Sequence, residues 1–278
     1  MIRTVYKTAM KSSWLYEQSS IWIVAALLGA TVLAGELGCF VGRRQHPESD
    51  EARRRTVGSV VGSLLGLLAL LISFTFAMAA GRYDTRRQLV VSDANALGGL
   101  YLQSSLLPDP PRKAFKQLLR QYVDLRAQVA LLHHDTSNAE TARTTAQSEK
   151  IHEQMWKLIQ SAAETHPPNR VADDMLKRLI EVSSIYRERI FSWEGRVPDP
   201  VTWLLLFGAV LAVAVIGLYG GLANHRGLPP RIAVTLLLCG TIYVVLDLDK
   251  PHQGIMPVSQ SPMLHLARTL DRDPETKP

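Results

Sequence analysis

Residues 57–107, VGSVVGSLLGLLALLISFTFAMAAGRYDTRRQLVVSDANALGGLYLQSSLL, decide the fold. The stretch from Val57 to Gly81 carries no charged residue. As a helix it rises about 37 Å, more than the hydrocarbon core of about 30 Å. From Arg82 onward the residues turn polar but keep helical spacing, and no proline interrupts them before Pro108. The same helix is therefore expected to leave the membrane and continue into a polar domain.

Working outward, three further apolar stretches complete the pattern. Ile21 to Gly42, IWIVAALLGATVLAGELGCFVG, precedes it. This stretch is too long, and begins too late, for the apolar region of about 7–15 residues of a cleaved signal peptide. Val201 to Leu222 follows Asp199 and Pro200, an acceptor cap and a proline suited to the first helical turn. Leu228-Pro229-Pro230-Arg231 then leads into Ile232 to Leu248, which is short for a crossing and ends in acids. The expected fold is an all-α membrane protein: four transmembrane helices with a helical-bundle extramembrane domain between helices 2 and 3. Residues 1–81 hold the N-terminal segment and helices 1 and 2 (about 21–42 and 57–81). Residues 82–199 form the helical domain, 200–250 hold helices 3 and 4 (about 201–222 and 232–248), and 251–278 are a polar tail.

Four crossings put both termini and the polar domain on one side. Arg43, Arg44, Arg53, Arg54, Arg55, Arg226 and Arg231 crowd the short loops, opposite a larger but sparser basic set. The positive-inside rule therefore gives no orientation. A net charge of +6 reflects these flanking arginines, which suit lipid headgroups rather than nucleic acid.

The polar domain reads as helices throughout. Pro110 and Pro111 open one after Asp109, with an apolar row through Leu118, Leu119, Tyr122 and Val123. Ser137-Asn138-Ala139-Glu140 has capping-box spacing, and Asn169 is placed to cap the last helix, which carries Met175, Leu179, Val182 and Ile190.

No enzyme motif, cofactor fingerprint or metal-ligand spacing is present. Cys39 and Cys239 lie inside apolar spans and read as small hydrophobes. His133, His134 and His152 read as solvated surface residues. Small residues at four-residue spacing, Gly58, Gly62 and Gly66 in the second span and Gly217 and Gly221 in the third, allow close helix packing; a pore-lining role is the alternative for the first three. Glu36 is the one acid deep in a span, so it is either an ion contact or a group bonded to a neighbouring helix. The densest polar cluster lies where the second span leaves the membrane: Arg82, Tyr83, Asp84, Arg86, Arg87, Asp93 and Asn95. Arg82, Arg86 and Asp93 share a face, and Asp247 and Asp249, beside Lys250 at the end of the fourth span, are their expected partners. This cluster reads either as a collar fixing helix register or as a vestibule that recruits ions.

The run FTFAMAAGRYDTRRQLVVSDANALGGLYLQSSLLP, residues 74–108, resembles the signature of the bestrophin-like domain family of bacterial membrane proteins. Leu246-Asp247-Leu248-Asp249-Lys250-Pro251 with Gly254 is similar to that family's second marker. Asp93 stands where the family usually has Glu, and Lys250 where it usually has Arg, which loses planar bidentate pairing. At greater distance the chain is similar to the bestrophin anion channels, pentamers whose second spans surround the pore with phenylalanine constrictions. That likeness implies a homo-oligomer in the bacterial cytoplasmic (inner) membrane, with Phe74 and Phe76 as gate residues and Arg82, Arg86 and Arg87 drawing anions to its mouth. The alternatives are lipid-facing or core phenylalanines, and a non-conducting scaffold or sensor acting through its helical domain.

Overall fold

A computed structural model describes residues 19–45, 51–132, 138–165, 170–195, 197–223, 228–250 and 255–276. The described residues form eight α-helices and no strand: α1 (Ser20–Arg44), α2 (Glu51–Ser104), α3 (Pro111–Leu132), α4 (Asn138–Thr165), α5 (Arg170–Glu194), α6 (Asp199–Leu222), α7 (Leu228–Asp249) and α8 (Ser261–Leu270). A single 3₁₀ turn, Pro274–Thr276, follows. Helices α1, α2, α6 and α7 are long and apolar enough to cross a membrane. Helix α2 runs unbroken for 54 residues, as its lack of proline requires. His133, His134, Ser137 and Asn169, and with them the expected capping box and the cap of α5, lie outside the described residues.

The chain divides into two units, residues 1–83 with 196–256, and residues 84–195 with 257–278. In the first, α1 and α6 meet backbone to backbone. A Cβ added at Gly217 would lie 2.1 Å from the carbonyl oxygen of Gly35, and one at Gly38 would lie 2.1 Å from that of Ala214. At Gly221 the same atom would meet the Cys39 carbonyl at 2.4 Å. No other residue type fits, which is how helices associate where lipid removes the hydrophobic drive. Gly58 lies against the Tyr219 ring at 3.3 Å, whereas Gly62 and Gly66 have nothing within 4 Å. Cys39 and Cys239 are both free thiols and buried. Helix α7 is longer than its apolar window because Pro229 and Pro230 occupy its first turn, where their missing N–H groups cost no hydrogen bond.

The second unit packs α3, α4 and α5 around the distal part of α2. Its core joins Leu97 and Leu100 of α2, Phe115 and Leu119 of α3, Met155 and Ile159 of α4, and Met175 and Leu179 of α5. Residues 257–276, polar in composition, are not a free tail. Helix α8 turns Met263 and Leu270 into that core, each contributing about 1.5–3 kcal/mol on burial. The segment is then tied down by charge. Lys116 bonds Asp273 at 3.0 Å and Glu275 at 2.8 Å, Arg112 meets Glu275 at 3.2 Å, and the Tyr101 hydroxyl donates to Asp273.

Candidate functional site

Helix α2 has two opposite faces of different chemistry. Its buried row runs through Leu68, Thr75, Ala79, Arg86, Val90, Asp93, Leu97, Leu100 and Ser104. At about 100° per residue these lie within about 40° of one line. The opposite line passes through Ser59, Ala77 and Asn95. Within about 60° of it lie Gly62, Ser63, Gly66, Leu70, Ser73, Phe74, Gly81, Asp84, Gln88, Val91 and Ser92, all exposed within the chain. The large apolar residues Val60, Leu67 and Met78 stand on one flank of this stripe and Phe76 on the other; all four are exposed.

The other three spans expose a different surface. Trp22, Leu33, Leu37 and Phe40 on α1, Trp203, Leu204 and Phe207 on α6, and Ile232, Leu236 and Leu237 on α7 are each more than half exposed. Those faces offer bulk apolar area, as a lipid-facing surface does. The central stripe of α2 offers glycine, alanine and serine, with Leu70 and Phe74 its only bulky residues between Ser59 and Gly81. Thr75, by contrast, is buried, and its hydroxyl donates to the Leu71 and Ile72 carbonyls at 2.9 Å. Among the two phenylalanines, Phe74 sits at the edge of the stripe and Phe76 on the far flank.

The junction cluster is divided among several tasks. Arg86 is 1% exposed and donates through Nε to the Ser192 carbonyl at 3.1 Å and through Nη2 to the Gly195 carbonyl at 2.7 Å. It thereby closes the C-terminus of α5, whose last carbonyls lack helical partners and carry the negative end of the dipole. It is thus removed from solvent, contrary to a place in an ion-recruiting vestibule. Arg82 pairs with Asp249 at 3.3 Å. Asp249 also accepts the Val197 backbone N–H at 3.0–3.1 Å. It thereby holds the chain leading into α6, which begins at Asp199 itself rather than one residue later.

Asp247 makes no pair with the arginine row. Its carboxylate accepts the backbone N–H groups of Ile255 and Met256 at 3.0–3.2 Å, turning the chain after α7. Lys250 is buried beside them. Tyr83 packs with Ala79, Val245 and Leu248. Arg87 and Asn95 are exposed, as is Asp84, which accepts a hydrogen bond from Gln88 at 2.7 Å.

Asp93 is paired inside the second unit. Arg189 donates to it at 3.0 Å, and Arg126 approaches it at 3.7 Å. The Arg126 guanidinium lies 3.2 Å from the centre of the Tyr186 ring and 4.7 Å from that of Tyr122, so aromatic faces share the task of holding its charge. Burial pushes the Arg189 guanidinium below its ordinary value, against the opposing pull of Asp93. His152 is not a solvated histidine: its ring lies 6.1 Å from that of Tyr122. Burial, and then Arg126, push its pKa down, which favours the neutral ring. Among the described residues no group of three His, Cys, Asp or Glu could hold a metal ion.

Glu36, expected as a lone acid, is partnered. Arg231 of α7 donates to its carboxylate and also to the Gly35 carbonyl at 3.2 Å. The residues sequence reasoning missed are Leu70 and Gln88 on the stripe, and Arg126 and Arg189 around Asp93. The first two could have been found from the 3.5-residue spacing of the stripe, whereas nothing local marks the last two.

Residues 29–263 match the Bestrophin-like domain. No curated protein matches the chain significantly. A mutant of a bacterial bestrophin homologue from Klebsiella pneumoniae is 14% identical, with a TM-score of 0.68 over 92% of this chain and 96% of that one. A crystal structure of another membrane-protein variant is 12% identical, with a TM-score of 0.69 over 91% of this chain and 99% of that one. The Klebsiella pneumoniae homologue phased on zinc is 14% identical, with a TM-score of 0.61 over 87% and 95%. At such identities the likeness is one of fold.

Proposed function

The chain belongs to the bestrophin-like domain family, and on that premise we propose that it is an ion channel of the bacterial inner membrane. Several copies assemble around an axis, each turning the stripe of α2 toward a central pore. The observation that supports this most is the contrast between exposed faces. Glycine, alanine and serine centre the stripe, while the exposed faces of α1, α6 and α7 are bulky and apolar. Serine hydroxyls and glycine backbone gain nothing from lipid contact but suit a water-filled path. The apolar flanks are the surfaces on which neighbouring copies of α2 meet.

Leu70 and Phe74 form the apolar constriction, where ions pass only when the pore is wetted. Phe76 is directed to the flank and belongs to packing between copies. Gly62 and Gly66, with open space beside them, keep the path wide on the loop side of that constriction. The test is to purify the protein in detergent, count subunits, and measure ion flux from proteoliposomes. An oligomer whose flux rises on Leu70→Ala and Phe74→Ala supports the reading. A monomer with no flux above empty liposomes overturns it.

A further inference from the structure

We propose that the start of α7 forms a sunken phospholipid site on the short-loop side of the membrane. There a headgroup is drawn down into the bilayer and its phosphate is held by Arg43 and Arg44. Such a site is separate from the pore and does not depend on it. Three spans end level with one another on that side. A Cβ added at Gly221 of α6 would lie 2.9 Å from the backbone nitrogen of Arg43 on α1. Gly58, near the start of α2, lies against the ring of Tyr219, two residues before Gly221. Helix α7 begins deeper. Its Arg231 donates to the Gly35 carbonyl at 3.2 Å and to the Glu36 carboxylate. Gly35 stands seven residues before Gly42 on α1, so this contact lies about 10 Å below the level of Gly42. The charge-free run left to α7, Ile232 to Leu246, rises about 22 Å, short of a hydrocarbon core of about 30 Å.

The ion pair at the bottom of this step is open on one side. Arg231 is buried, but the Glu36 side chain is 60% exposed, on a helix face with exposed Leu33, Leu37 and Phe40. A charged pair facing hydrocarbon is unfavourable, and local thinning of the bilayer relieves it by bringing headgroups and water to the charges. Arg43 lies two turns beyond Glu36 on α1 and within about 20° of the same line. It and Arg44 are the basic residues of the last turn. Both are exposed, and among the described residues neither has an ion-pair partner. Two neighbouring arginines are engaged: Arg53 donates to Gln45 at 3.0 Å and Arg55 to Glu51 at 2.6 Å. The outer face of α1 therefore offers two guanidiniums at the top, a polar floor below them and bulky apolar side chains alongside. A phospholipid presents the matching groups, a phosphate that guanidinium forks bind well and acyl chains for the leucines and phenylalanine. Two cations at the rim favour an anionic headgroup over a zwitterionic one.

The experiment places one cysteine in the full chain, Leu37→Cys, attaches a nitroxide and reconstitutes the protein in liposomes of phosphatidylglycerol and phosphatidylcholine. Relative collision rates with oxygen and with a water-soluble nickel chelate report the depth of the label. With the pair intact, the label is expected at headgroup level. Adding Glu36→Leu and Arg231→Leu is expected to sink it by roughly 5 Å, most of the length mismatch of α7. Glu36→Gln, which keeps the floor polar, leaves it in place. Native mass spectrometry of the wild type, offered equal phosphatidylglycerol and phosphatidylcholine, is expected to show retained phosphatidylglycerol. Arg43→Gln with Arg44→Gln lowers that retention roughly tenfold. Should the leucine pair fail to fold, the depth with the pair intact and the arginine variant still decide. A label at the depth of a flat bilayer, with the pair intact, overturns the proposal. So does a label that neither oxygen nor nickel reaches, which means that a second copy covers Glu36. Equal retention of the two lipids overturns it as well, as does displacement of phosphatidylglycerol by millimolar inorganic phosphate, which makes the free ion the ligand.

Discussion

Arg189 donates to Asp93 at 3.0 Å with both side chains all but sealed from solvent. Arg126 stands 3.7 Å away on the same carboxylate oxygen. Two guanidiniums thus share one buried acid, the remainder of the charge being spread over the Tyr122 and Tyr186 rings. Removing the acid takes the Asp93 counter-charge from two buried cations, which costs about 3–5 kcal/mol. Asp93→Asn is expected to lower the thermal midpoint of the detergent-purified protein sharply. Asp93→Glu, which keeps the charge but adds a methylene to a closed site, costs less, about 1–3 kcal/mol. Equal midpoints for wild type and Asp93→Asn would show that the pair is not needed for stability.

The glycines of the membrane unit separate into two behaviours. Gly217→Ala places a methyl 2.1 Å from the Gly35 carbonyl oxygen, so α1 and α6 must part; the expected cost is about 1–3 kcal/mol or more. Gly66→Ala meets nothing within 4 Å and leaves the midpoint of the single chain unchanged, or raises it slightly through helix propensity. Its effect is expected instead in flux, which falls. Thermal unfolding and flux measured on the same preparations check both; a stability loss in Gly66→Ala would contradict the free stripe.

Arg86 bridges the Ser192 and Gly195 carbonyls with two N–H groups of one planar guanidinium, a fixed fork that lysine does not reproduce. Arg86→Lys and Arg86→Gln are expected to destabilise the protein by about 1.5–3 kcal/mol. Ion selectivity, measured as reversal potential, is expected to stay at the wild-type value in both. A shift in selectivity at unchanged stability would place Arg86 at the pore after all.

The C-terminal segment responds to acid in a stated window. The Tyr101 hydroxyl, then the Glu275 backbone N–H and Lys116, hold the Asp273 carboxyl at about 2, against about 3.9 in an unfolded chain. A depressed acid stabilises the fold fully above its unfolded value, and the contribution disappears as pH falls through the folded one. Glu275, held down first by Lys116, acts in the same direction. Amide-exchange protection of α8, corrected for intrinsic rate, is therefore expected to drop between pH 4 and 2. At pH 7, Asp273→Asn should reproduce the drop. Protection constant from pH 5 to 2 would contradict the tie.

The four spans were legible because a charge-free run as long as Val57–Gly81 has few other destinations, and the unbroken course of α2 followed from the absence of proline. The partners in the junction were not. Helical spacing says that Arg82, Arg86 and Asp93 share a side but not what stands opposite. Asp93 meets Arg189, 96 residues away, a relation no local pattern encodes. Arg86 bonds main-chain carbonyls, which every residue possesses and no sequence advertises. Helix α8 was hidden by its size, ten residues with two buried side chains inside a polar stretch. The stripe was partly visible as Ser59, Ser63 and Ser73, but the leucines between them masked it. Only the packed face, Leu68 to Ser104, showed on which side those leucines lie.

The burial of Cys39 and Cys239 (5% and 4% exposed) has a practical consequence. Both thiols are buried within the membrane unit, beyond the reach of charged maleimides or methanethiosulfonates. The natural sequence is therefore already a silent background for site-directed spin labels and fluorophores. A single cysteine placed at Ser63 or Ser92 reports on its own surroundings without prior removal of native sulfur, so distances between copies can be read in an otherwise unaltered protein.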